Sequence, residues 1–167
     1  TVLNTFSEFE IILPVFIILF VGNILNKSFL GDNGSYLVGY FFSYFLINFY
    51  LNNQSISPFF IILLVWYPSF ELLFSIIRKF NFNKSPIKPD NNHLHHLVFY
   101  FFRKKIKNVL ICNNLSSFLI NLYNLSIITI GSKNVFNSQI QILLVIFSVI
   151  FYSAVYIKLY NYKFSKE

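Results

Sequence analysis

The sequence predicts an all-α protein, a polytopic transmembrane helical bundle with about five spans. Composition is the first reason. Of 167 residues, 56% are hydrophobic and 11% charged, and the mean hydropathy is +0.61. A single soluble core of this length cannot hide that much apolar surface. The aromatic content is the second. The 23 Phe and 11 Tyr residues exceed what a soluble core usually packs, whereas lipid-facing helices and interfacial belts accept them. The third is the recurrence of apolar runs close to the about 20 residues needed to cross a bilayer.

The first run covers about 9–25 and includes Pro14 and Gly22. The second, about 36–51, is short and is expected to begin inside the polar motif before it. The third, about 58–77, contains Pro68 and Glu71. The fourth, about 109–130, is diluted by Asn113, Asn114, Asn121 and Asn124, and the fifth, about 140–159, is strongly apolar. Residues 52–57 and 131–139 read as short loops, and 78–108 as a long basic loop within one membrane domain, 1–167. Cys112 is the single cysteine, which excludes an intrachain disulfide. The chain contains no methionine, and a C-terminal portion of a longer protein is the expectation.

The charges orient the bundle. If the first helix runs inward, Lys27, Arg78, Lys79, Lys84, Lys88, Arg103, Lys104, Lys105, Lys107, Lys158, Lys163 and Lys166 all fall on the cytoplasmic side, and Lys133 alone lies outside. Two polar islands share that inner face. They are FLGDNGS at 29–35 and SPIKPDNNHLHH at 85–96.

In the first island, glycines allow positive φ and close backbone approach. Asp32 reads either as a Mg²⁺ ligand facing phosphate or as part of an ordinary turn and cap. In the second, His93 and His96 would share a helical face while His95 points elsewhere. Asp90 or Asn91 is the expected cap. The surrounding lysines and arginines suit an anionic ligand better than a bare metal. The competing reading is an amphipathic helix, HLHHLVFYFFRKK, lying on headgroups. Glu71, inside an apolar run, is either functional or a simple partner of Arg78.

These islands resemble a known family. FLGDNGSYLVG is similar to the Phe-hydrophobic-Gly-Asp-x-Gly-Ser-x-x-x-Gly motif of the polyprenyl-phosphate N-acetylhexosamine-1-phosphate transferases, glycosyltransferase family 4. SPIKPDNNHLHHL resembles that family's Ser-Pro-Phe-x-Pro-Asp-x-x-His-x-His-His-Leu segment, and WYPSFELLFSIIRK its intervening Pro-x-x-(Asp/Glu)-x-x-x-x-x-x-Arg helix. The resemblance implies a multi-pass enzyme of the bacterial inner membrane with its site facing the cytoplasm. It implies transfer of a sugar-1-phosphate from a UDP-N-acetylhexosamine to undecaprenyl phosphate, releasing UMP and priming a cell-envelope glycan such as O-antigen or teichoic acid. It implies Mg²⁺, with Mn²⁺ as a substitute, and it admits a homodimer. By position, Asp32 would hold the metal and act in catalysis. His93, His95 and His96 would line the nucleotide-sugar site, with Arg78 helping to hold phosphate. The single intervening Leu94 favours the glycan-primer branch over the peptidoglycan branch, which carries three adjacent histidines.

The family's Asp-Asp-x-x-Asp and Asn-x-x-Asp-Gly-x-Asp-Gly motifs are not within these residues, and the resemblance places them upstream. By that expectation the missing N-terminal half is a partner, and this fragment alone is inactive or a non-catalytic relic. A transporter subunit would place its polar groups near the bilayer midplane, and here they gather at one face. A nucleic-acid binder would rest on the basic loop alone and does not suit so apolar a chain.

Overall fold

The computed structural model describes residues 2–164 apart from 26, 29, 84, 86, 87 and 89, and gives residues 2–12 as backbone only. Every regular element described is helical. The helices are α1 (Val2–Ile24), α2 (Gly31–Asn52), α3 (Pro58–Asn81), α4 (Leu94–Arg103), α5 (Val109–Ser132) and α6 (Ser138–Phe164). The chain divides into two compact units, residues 1–48 and 49–167.

In the first unit, α1 ends where the Lys27 and Ser28 amides both donate to the Gly22 carbonyl, at 2.8 and 3.2 Å. As the short second run implied, the second helix begins inside the first polar island. Helix α2 begins at Gly31, inside the motif, so Asp32 and Ser35 lie in its first turns. Gly31 has φ +64°, a left-handed conformation that glycine adopts without steric cost.

In the second unit, α3, α5 and α6 are the three described helices long and apolar enough to cross a membrane. Residues 13–24 of α1 form a shorter apolar helix. Helix α2 has sufficient length, but its Gly, Asp, Asn, Ser and Tyr residues dilute its apolar character, so the described helices supply three candidate spans where about five were expected.

Local sequence sets the boundaries of these spans. Ser57 accepts the Phe59 amide with its side chain, and Pro58 occupies the first helical position, where its missing N–H costs nothing. After α3, the Phe82 amide returns to the Arg78 carbonyl and Asn83 takes φ 53°, the left-handed stop that asparagine tolerates. The Asn108 side chain caps α5 by accepting from Leu110 and Ile111 at 3.0 and 3.2 Å. Asn137 does the same for α6 through Gln139 and Ile140.

The core of this unit is built from Phe60, Leu63 and Trp66 of α3, Leu94 and Leu97 of α4, Ile127 of α5, and Tyr152 and Tyr156 of α6. Leu72, Leu73 and Ile77 of α3 and Leu143, Phe147 and Ile150 of α6 face outward. In water such a surface would drive aggregation, whereas in hydrocarbon it carries no penalty.

The two ends of the unit differ. At one end, Ser57 and Ser138 exchange a hydroxyl bond of 2.9 Å, and the buried Gln141 amide donates to the Gly131 and Asn134 carbonyls, each at 2.8 Å. At the other end, α4 packs between α5 and the last turns of α6. Arg78, Lys79, Lys88, Arg103, Lys104, Lys105, Lys107 and Lys163 belong to that end, while Lys133 belongs to the first. Lys84 and Lys166, counted in the sequence asymmetry, lie outside the described residues.

Candidate functional site

The histidine segment is short of regular structure until Leu94, yet it is fixed at nearly every residue from Asp90 on. Arg78, one turn from the end of α3, donates both terminal nitrogens to Asp90, at 2.7 and 3.1 Å. Arg78 is buried, and its Nη2 also lies 3.4 Å from the Ser75 hydroxyl. The hydrogen bonds from Arg78 hold the Asp90 carboxyl below the usual carboxylate range, against a smaller opposing effect of burial. Lys79 donates to the Lys88 carbonyl at 2.7 Å. From α6, the Tyr156 hydroxyl donates to the Asn92 carbonyl at 3.0 Å, and Lys163 donates to the Asn92 side chain at 2.8 Å and to the Asn91 carbonyl at 3.3 Å.

Glu71 anchors the next two residues. Its Oε1 accepts the Leu94 amide at 2.9 Å and stands 3.2 Å from His93 Nδ1, while its Oε2 accepts the Tyr152 hydroxyl at 2.9 Å. The expectation that Asp90 or Asn91 caps this helix is therefore corrected. The capping position is His93, whose own side chain makes no capping bond, and the carboxylate comes from α3 instead. Of the two readings of Glu71, the simple pairing with Arg78 is not the one formed, because Arg78 pairs with Asp90.

The histidines also depart from the helical geometry expected of them. His93 precedes α4, so its ring is not set by helical spacing and can swing toward its neighbours. The His95 and His96 ring centroids lie 4.2 Å apart, with His93 at 5.7 Å from His95 and 6.4 Å from His96. His95 thus joins the cluster rather than pointing away. His95 is exposed and His96 half-buried. Lost hydration and a neighbouring imidazole lower the pKa of both, which favours the neutral rings. The amphipathic character expected of this helix is present, with Leu94 and Leu97 buried, but the helix packs on α5 and α6 as well as presenting a basic end.

Asp32 belongs to the other unit. It is exposed in the first turn of α2, where the helix dipole favours a negative charge, and the Ser35 hydroxyl donates to its backbone carbonyl at 2.8 Å. Among the described residues, no hydrogen bond or ion pair to its carboxylate is found, and no group of three His, Cys, Asp or Glu side chains is arranged to hold a metal ion. Glu71 and Asp90 are occupied by internal partners. Among the described residues, the donor set offered to a hard cation is one open carboxylate. That fits Mg²⁺, which commonly takes one or two carboxylates and completes its shell with water and phosphate oxygens.

Sequence reasoning missed the anchors on α6. Tyr152, Tyr156 and Tyr160 recur every four residues along one face of an apolar span, and their rings form a ladder with centroids 6.2 and 5.8 Å apart. The four-residue spacing shows in the sequence only that they share a helical face; Tyr152 and Tyr156 reach different acceptors, the Glu71 carboxylate and the Asn92 carbonyl.

Comparison with known proteins agrees with the motif evidence. The chain is 34% identical over 102 residues to the undecaprenyl-phosphate alpha-N-acetylglucosaminyl 1-phosphate transferase of Thermotoga maritima, covering 60% of this chain and 32% of that protein. It is 38% identical over 77 residues to the probable undecaprenyl-phosphate N-acetylglucosaminyl 1-phosphate transferase of Bacillus subtilis, covering 45% of this chain and 21% of that protein. Both are distant homologues, and the aligned chain spans a third or less of their length. No family model matches the chain, and no solved structure matches it at the same stringency.

Proposed function

We propose that this chain is the C-terminal portion of a phosphoglycosyl transferase of the inner membrane, and that its basic end receives a UDP-N-acetylhexosamine at the cytoplasmic face. The observation that carries the reading is the cluster of three imidazoles, with centroids 4.2 to 6.4 Å apart, on a segment tied to two spans amid basic side chains. The names of its homologues favour N-acetylglucosamine as the hexosamine.

In the reaction, an oxygen of undecaprenyl phosphate attacks the sugar-bearing phosphorus of the nucleotide. The bond from that phosphorus to the UMP oxygen breaks, UMP leaves, and the lipid carries a sugar diphosphate. This chemistry needs alignment and charge neutralisation more than a protein nucleophile. In this reading His95 and His96 bind and orient the diphosphate, and a proton taken up beside it would add positive charge where negative charge accumulates. Asp32 would hold Mg²⁺, which supplies further neutralisation when bound. Arg78 acts through Asp90, whose position it fixes, rather than by reaching phosphate itself.

The test is UMP release by membranes carrying the full-length protein, given UDP-N-acetylglucosamine, undecaprenyl phosphate and Mg²⁺. His95→Ala should lower kcat/KM by about 100-fold, the scale of a lost positioned imidazole. An unchanged rate would return the cluster to an interfacial helix lying on headgroups.

A further inference from the structure

We infer that Glu71, with Tyr152 behind it, is a positioning residue that locks His93 and the first turn of α4, leaving His95 and His96 as the imidazoles that meet substrate. The inference rests on the transferase reading for its kinetic consequence and on geometry alone for the assignment of roles.

His93 sits between two carboxylates. Its Nδ1 is 3.2 Å from Glu71 Oε1, and its Nε2 is 3.7 Å from Asp90 Oδ1. Both ring nitrogens therefore face protein anions, and neither is turned to an incoming diphosphate. The same Glu71 oxygen accepts the Leu94 amide, so one carboxylate fixes both the histidine and the backbone that begins α4. The second Glu71 oxygen takes the Tyr152 hydroxyl, and the Tyr152 ring is buried against Phe70 and Phe74, with centroids at 5.1 and 5.4 Å. A carboxylate placed well inside an apolar span is expensive unless every lone pair is used. Here the cost is met by three donors from two other segments, which explains why an acid stands where hydrocarbon is expected. Next to this group, the His95 and His96 ring centroids lie 4.2 Å apart with their planes tilted by 40°, and neither ring makes an ion pair with a carboxylate among the described residues. The three histidines thus divide into one strut and two contact groups.

Truncating a strut should displace the contact groups before and after chemistry alike, which raises KM for the nucleotide sugar more than it lowers kcat. In the full-length protein in membranes, Glu71→Ala should raise that KM by about tenfold or more with kcat changed less than about threefold. Glu71→Gln keeps an oxygen for the Leu94 amide while losing the charge on His93, and should restore roughly half of the loss on a logarithmic scale. Diethylpyrocarbonate labelling, read residue by residue by mass spectrometry, supplies a readout independent of turnover. His93 should label slowest of the three in the unsubstituted protein and speed up about tenfold in Glu71→Ala and Glu71→Gln. Equal labelling of the three histidines in the unsubstituted protein, or an unchanged His93 rate in Glu71→Gln, would overturn the inference. Should the unsubstituted protein release no UMP, the transferase reading falls and the labelling rates alone decide the role of Glu71.

Discussion

Asp32 and the histidine segment are both polar islands in an oily chain, but they are built in opposite ways. Asp32 stands exposed in a helical first turn after a glycine with φ +64°, and no described side chain holds its carboxylate. The segment from Asp90 to Leu94 is held by Arg78, Glu71, Tyr156 and Lys163. Under the proposed function, the difference matches what each would bind. A Mg²⁺ ligand must stay open, because the cation brings its own order and shares its shell with water and phosphate. Imidazoles that orient a flexible diphosphate must be ordered in advance, because disorder on that side is lost as binding energy.

The largest effect is expected where nothing stands in reserve. Asp32→Asn in the full-length protein should reduce UMP release by about 1,000-fold or more, because a neutral amide is a poor Mg²⁺ ligand and no other carboxylate stands beside it among the described residues. The protein should remain in the membrane at normal levels, since Asp32 packs against nothing described. Near-normal UMP release would break the comparison by showing that the open carboxylate is a turn residue only.

The contrast between the islands was partly legible in the sequence. The spans at α3, α5 and α6 followed from apolar runs of sufficient length, and the charge asymmetry between the two ends followed from Lys133 standing apart. The three-residue spacing of His93 and His96 misled, because it presumed a helix that starts only at Leu94. The cap on α4 was unreadable locally, since the carboxylate that supplies it lies 23 positions earlier, on another span. The same holds for Arg78, whose partner could have been Glu71 seven residues away on its own helix or Asp90 beyond a loop. Only the tertiary arrangement decides between them. Tyr152 and Tyr156 were hidden by composition, as tyrosines are unremarkable in a chain holding 11.

An intermediate effect is expected from the Arg78–Asp90 pair, which tests how much of the locked state depends on one contact. Arg78→Ala leaves Asp90 without its two donors and should cost about 2 kcal/mol of stability, measured as a fall in Tm of the purified protein in detergent. Asp90→Ala should cost a similar amount, and the double variant should cost less than the sum of the two, a coupling of about 1 kcal/mol or more. Acid should mimic the lesion. The folded pKa of Asp90 is lowered, so its contribution is present above the ordinary carboxylate range and is lost as pH falls through the folded value. His95 and His96 have lowered values as well, so they oppose folding once pH drops below their ordinary range, and the two effects share a sign. Protease cleavage within residues 82–93 should therefore accelerate first below about pH 6.5 and again below about pH 4. A rate flat across that interval would mean that the segment is held by something other than these groups.

The smallest effect is expected at the opposite end of the same unit, and it separates general packing from positioning. Gly131 is buried, and a Cβ there would press on the Leu63 side chain and reach within 3.1 Å of Gln141 Oε1. Leu63 is fully buried, so it has no space into which to retreat. Gly131→Ala should therefore cost about 1 kcal/mol by overpacking, read as a small fall in Tm. Nothing in that contact touches Glu71, Arg78 or the histidines, so KM for the nucleotide sugar should stay within about twofold of the unsubstituted value. A KM that rises as far as in Glu71→Ala would mean that any loosening of the bundle disorders the histidines. Their order would then belong to the packing as a whole rather than to the carboxylate beside them.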